Sequence, residues 1–135
     1  MKSWAEKLNA SGPFEVKPVP VNIAGMKAGE IMLVPTPRLV DDFIRTLPKG
    51  RHMDVKTLRQ AMAKQHGAEV TCPITLGFHL RTVAEAAFED YQRTGDICSV
   101  TPFWRVLDSS TSTVSRLSFG AAFVTEQRLN EGLKE

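Results

Sequence analysis

The chain has 135 residues, a formal charge of +2, a sequence pI near 8.7, 42% hydrophobic and 24% charged side chains. That suits one soluble globular domain with a core of its own, and it is not the composition of a disordered or fibrous chain. Two cysteines rule out a disulfide framework, and no apolar run reaches the ~20 residues of a membrane span.

Trp4-Ala5-Glu6-Lys7-Leu8 reads as a short helix ending near Asn9. Pro13, Pro18 and Pro20 then enforce extended or polyproline geometry. Gly25 and Gly29 loosen the chain just before residue 30. Residues 1–30 therefore read as an arm without its own core, with Trp4 and Phe14 as anchors and self-association as one use. Glu30-Ile31-Met32-Leu33-Val34 is a short apolar run and reads as a strand. The boundary between arm plus strand and domain falls at residues 1–35 and 36–135. The first residues, Met1 to Glu6, lack an apolar signal core, and the expectation is a cytoplasmic protein.

Thr36-Pro37 has the form of a helix start, a cap followed by proline at the first position. Leu39, Val40, Phe43, Ile44 and Leu47 recur at helical spacing, with Asp41, Asp42 and Arg45 on the other side. Pro48-Lys49-Gly50 ends that helix. Asp54 caps the next one, whose buried stripe is Val55, Leu58, Ala61 and Met62 and which closes at Gly67. Pro73 starts a third helix, from about Ile74 to Gln92. Its apolar face is Leu76, Leu80, Val83, Ala84, Ala87 and Tyr91; His79, Arg81, Thr82, Glu85 and Glu89 lie elsewhere. Two helices joined by a short turn suit helix-turn-helix geometry, and equally an ordinary packed helix pair.

Arg93-Thr94-Gly95-Asp96 reads as a turn and Ile97–Val100 as a short strand. Asp108-Ser109-Ser110-Thr111-Ser112-Thr113 is a polar loop or wing tip. Ser118-Phe119-Gly120 precedes a last helix over about Ala121–Asn130. Between them lies Thr101-Pro102-Phe103-Trp104-Arg105-Val106-Leu107. Read from its residues alone, this is a core segment with an aromatic as packing.

The frame Pro102-Phe103-Trp104-Arg105-Val106 also resembles the Pro-Cys-His-Arg-Val active-site motif of the O6-alkylguanine-DNA alkyltransferases. Leu80-Arg81-Thr82-Val83-Ala84-Glu85-Ala86 resembles that family's recognition helix. Ser118-Phe119-Gly120 resembles its glycine turn, and Gln127-Arg128-Leu129-Asn130-Glu131-Gly132 its closing helix. The resemblance spans about residues 36–132 and implies a mainly α, winged helix-turn-helix-like domain. It implies a double-stranded DNA partner, alkylated or distorted, recognised by nucleotide flipping, and a repair or regulatory protein partner.

The departures decide the chemistry. Phe103 stands where the family has its reactive cysteine and Trp104 where it has the histidine. Val55 stands where it has a tyrosine. A thiolate activated through a base cannot form there, so the resemblance points to the non-enzymatic alkyltransferase-like proteins, with no catalytic residue. Arg81 takes the place of the family's intercalating arginine, and a guanidinium can stack in an opened base pair. Its alternative is an ordinary ion pair with Glu85. Thr82, Lys49, Arg51 and Lys56 are candidates for phosphate contacts. Phe103 and Trp104 form a base-stacking pocket or fill that pocket themselves. Pro102 and Arg105 hold the motif loop. Cys72, at a helix start, is the better placed of the two thiols, with small buried packing as its other reading. His52, His66 and His79 lack metal-site spacing, and no cofactor is called for. Two classes stay open: a DNA binder, and an interaction or regulatory module that keeps the fold without DNA binding.

Overall fold

The computed structural model describes residues 3–9 and 12–133. It is mainly helical with a small three-stranded sheet. Side-chain caps set the first helices of the core. Thr36 accepts the Leu39 N–H at 3.1 Å, and Pro37 opens α2 (Pro37–Arg45). Asp54 accepts the Thr57 N–H at 2.7 Å and opens α3 (Val55–Gln65). Those bonds from Thr57 hold the Asp54 carboxyl below its ordinary value. α4 (Pro73–Thr94) begins at its proline and ends at Gly95, whose φ of 71° allows the left-handed cap. α5 runs over Ala121–Asn130.

The sheet is built from the first half of the chain. β1 (Glu15–Pro18) runs antiparallel to β2 (Ile31–Val34), and β2 runs parallel to β3 (Val70–Thr71). The sheet order is β1-β2-β3. The residues leading into the domain thus supply one edge of the sheet. A short helix, α1 (Trp4–Asn9), lies on α4. Its Trp4 and Ala5 N–H groups, which have no intrahelical acceptor, donate to the Glu89 carboxylate at 3.3 and 3.2 Å.

Successive residues of a strand point to opposite faces, and β2 separates two clusters in this way. Leu33 joins the main core with Val40, Ile44, Leu58, Leu80 and Phe103. Met32 faces the other way, to Val19, Met26 and Cys72. Cys72 is therefore buried packing, and the Thr75 hydroxyl donates to its Sγ at 3.4 Å.

Several expectations are corrected. Residues Ile97–Ser99 form a 3-10 turn, not a strand, because Asp96 accepts the Cys98 N–H at 3.0 Å and curls the backbone. The polar run after Asp108 leads into another 3-10 segment, Ser112–Arg116. Asp41 and Glu85, placed off the apolar stripes of their helices, are buried at 1% and 2% exposure.

Candidate functional site

Phe103–Arg105 forms a single 3-10 turn. The Phe103 ring is fully buried and Trp104 is 3% exposed. Phe103 packs against Trp104 (5.3 Å between ring centres), Phe119 (5.8 Å) and Phe123 (6.1 Å). Phe88 stacks on Phe119 at 4.2 Å and extends the cluster to α4. These rings fill the space around the turn. Both side chains are spent on packing within this cluster.

The next residue is the hub of a polar clamp. Arg105 donates from Nε and Nη2 to both oxygens of Glu131, at 2.9–3.2 Å, and from Nη1 to the Leu47 carbonyl at 2.7 Å. The Trp104 indole N–H and the Gly50 N–H also donate to Glu131, at 2.8 and 3.0 Å. Burial alone would raise the Glu131 carboxyl, but the hydrogen bonds from Arg105, Gly50 and Trp104 and the Arg105 charge hold it below its ordinary value. A carboxylate so occupied has no lone pair free for a substrate proton. Arg105 thus joins the turn to the end of α5 and to the end of α2.

Two further charged groups tie the same turn. Buried Asp41 accepts from the Thr101 hydroxyl and from Arg45 Nε at 3.1 Å. Buried Arg128 donates to the Trp104 carbonyl at 2.8 Å and meets His52 Nδ1 at 3.1 Å, a contact in which Nδ1 is the acceptor. A cavity of about 290 Å³ lies beside the clamp, between Arg45, Lys49, Cys98, Trp104 and Glu131. Cys98 is exposed.

The predicted DNA-contact residues fall in two places. Lys49 and Arg51 are exposed on the loop joining α2 to α3, and Lys56 is exposed on the first turn of α3. That loop is pinned to the motif turn at Leu47 and at Met53, whose N–H donates to the Arg105 carbonyl at 2.9 Å, and to Glu131 at Gly50. Gly50 holds a φ of +79° there, a conformation that side chains strain to adopt.

Arg81 and Thr82 are on α4, where the neighbours are different. The Arg81 guanidinium lies over the Trp4 ring at 5.3 Å, and its Nε is 4.0 Å from Glu85. Glu85 does not face outward: it accepts from the Ser118 N–H at 2.9 Å and from the Ser118 hydroxyl. The Thr82 hydroxyl donates back to the Phe78 carbonyl at 3.2 Å. The exposed side of this helix carries Ile74 and Phe78, at 47% and 65% exposure.

Sequence reasoning passed over the long-range polar contacts of Asp41, Glu85, Arg128 and Glu131. Those partners, Thr101, Ser118, Trp104 and Arg105, lie 60, 33, 24 and 26 residues away, beyond any local pattern. Only Glu131 carried a signal, the Glu-Gly at the end of the last helix. Among the described residues, no group of three or more His, Cys, Asp and Glu side chains could hold a metal ion, and no helix is long and apolar enough to cross a membrane. No family model, no curated protein and no solved structure matches the chain.

Proposed function

We propose that this chain is a non-enzymatic, cytoplasmic DNA-binding protein that holds duplex phosphates on the loop between α2 and α3 and on the first turn of α3. The observation that carries this is the placement of Lys49, Arg51 and Lys56. Each is exposed, and the backbone that presents them is fixed to the Arg105–Glu131 clamp. A pre-ordered loop loses little further entropy on binding, so its cations are effective phosphate contacts. The connection between α3 and α4 carries the short strand β3, so the helix-turn-helix reading rests on the alkyltransferase-like motifs of residues 36–132. Burial of Phe103 and Trp104 argues against stacking a flipped base on those rings.

The test is fluorescence anisotropy of a labelled duplex, plain and O6-methylguanine-containing, at two salt concentrations. Binding should weaken steeply with salt, and removing the three cations together should flatten the log–log slope by about 0.9 for each phosphate no longer neutralised. Absence of binding at low salt overturns the reading.

A second reading, an interaction module that does not bind DNA, is favoured by Ile74 and Phe78. They are four residues apart on the exposed side of α4, and adjoining exposed apolar side chains suit a protein surface. In that case Phe78→Asp improves solubility and leaves the duplex titration flat.

A further inference from the structure

β1 is the edge of the sheet, and no described strand pairs with its outer side. In antiparallel pairing, residues alternate between bonding the partner strand and turning their N–H and C=O away from it. Val19 continues the β1–β2 register opposite Glu30 and donates its N–H to the Glu30 carbonyl at 2.8 Å. Counting back by two, Lys17 and Glu15 face β2. Val16 therefore offers its N–H and C=O to the open edge. Pro18, which has no N–H, sits opposite Ile31 where β2 asks for none.

That edge is matched to itself. Exposed Glu15 and Lys17 form an ion pair across one face of the strand, 3.3 Å apart. Placed antiparallel against an identical edge with Val16 opposite Val16, each Glu15 meets Lys17 of the second copy, and each Lys17 meets Glu15. A parallel, in-register arrangement would set like charges against each other. Lysine and proline on an edge ordinarily keep identical strands apart. Here the lysine has its countercharge two residues away, and the proline still offers its carbonyl to the Phe14 N–H. Apolar surface is concentrated at the same place. Of seven large hydrophobics left exposed among the described residues, Phe14 and Val16 lie beside or on β1, and Val21 and Ile23 follow within five residues of its end.

We propose that the chain self-associates as a two-fold dimer through antiparallel pairing of β1 with β1 of a second copy. This goes beyond the DNA-binding reading and does not depend on it. Sedimentation velocity over a concentration series tests it. The wild-type mass should rise toward twice the monomer mass. Glu15→Lys alone and Lys17→Glu alone should each be monomeric, because each sets like charges opposite one another. An equimolar mixture of those two variants should recover a heterodimer in native mass spectrometry. Val16→Pro removes the outward N–H while leaving the bonds to β2 in place, and should also be monomeric with an unchanged circular dichroism spectrum. A wild type that stays monomeric at the highest soluble concentration overturns the proposal. So does a dimer that survives both charge variants and Val16→Pro, or folded variants that fail to associate when mixed.

Discussion

The turn at residues 101–107 and the outer flank of α4 carry the two strongest motif resemblances, and they are built in opposite ways. In the turn, Thr101, Trp104 and Arg105 are tied by direct hydrogen bonds to Asp41 and Glu131, groups that are themselves buried or nearly so. On the flank, Arg81 is half exposed, its Nε finds no acceptor within hydrogen-bond distance, and it rests against one aromatic ring. One stretch is therefore bound into the architecture, and the other is loosely held surface. The turn holds the domain together, whereas the flank and the loop around Lys49 remain available to a partner.

The largest effect expected lies in the turn. The Arg105 and Glu131 side chains are only 14% and 8% exposed. Removing one charge from such a pair strands the other, which costs about 3–5 kcal/mol. Arg105→Ala should lower the urea unfolding free energy by that amount and also free the Lys49 loop. A loss below about 1 kcal/mol, the range of a surface ion pair, would mean that the clamp is solvated and that the contrast with the flank fails.

Next in size is Glu85→Ala. It removes the acceptor for the Ser118 N–H and hydroxyl from the interior of α4. Hydrogen bonds to a charged group contribute about 1.5–3 kcal/mol, and unfolding should show a loss in that range. If Glu85→Ala is neutral, the helix flank begins further inside α4 than the buried carboxylate suggests.

How much of this was legible in the sequence depends on where each signal lies. Thr36-Pro37, Asp54 and Gly95 act on backbone within a few residues, so the starts and ends of α2, α3 and α4 could be read locally. The strand at Ile31–Val34 announced itself by its apolar run. β1 did not, because Glu-Val-Lys-Pro is extended by chemistry but becomes a strand only by pairing with residues 31–34. Asp41 and Glu85 were placed outside because helical periodicity sorts carboxylates away from an apolar stripe. It cannot foresee Thr101 or Ser118 arriving from elsewhere in the chain. The candidate site was legible to the same extent. Residue identity excluded thiol chemistry at Phe103, but only packing could decide between a stacking pocket and a filled one.

A pH titration of stability sharpens the same contrast with a smaller effect. His79 is partly buried beside the Pro35 carbonyl at 3.0 Å. Desolvation lowers its pKa below the usual 6.5, and the hydrogen bond to Pro35 offsets only part of this. The fold thus favours neutral His79. Its contribution is complete above 6.5 and is lost as pH falls from there through the depressed folded value. Glu131 is likewise depressed, from 4.5, so its contribution is present above that value and is lost as pH falls through the folded one. Unfolding free energy should decline in two stages on acidification. His79→Gln should remove the upper stage, and Glu131→Gln should make the lower one shallower. A single stage unaffected by His79→Gln would place that ring in water.

The smallest effect is the most discriminating, because it asks whether Arg81 is free to leave its place. A cation over an aromatic ring at a partly exposed site contributes about 0.5–1 kcal/mol. A double-mutant cycle of Trp4→Leu and Arg81→Ala should return a coupling of that size in unfolding free energy. The same pair bears on DNA. If Arg81 must abandon Trp4 to reach a duplex, the ring competes with the nucleic acid. Trp4→Leu then tightens binding by the same free energy, roughly two- to fivefold, because the coupling is reciprocal. If the phosphates are held by Lys49 and Arg51 on the loop and by Lys56 at the start of α3, Arg81 stays where it is and Trp4→Leu leaves the anisotropy titration unchanged. We expect the unchanged titration, with Lys49→Ala weakening binding more than Arg81→Ala. A tightening in Trp4→Leu would move the DNA contact from the pinned loop to α4 and make α1 a restraint on it.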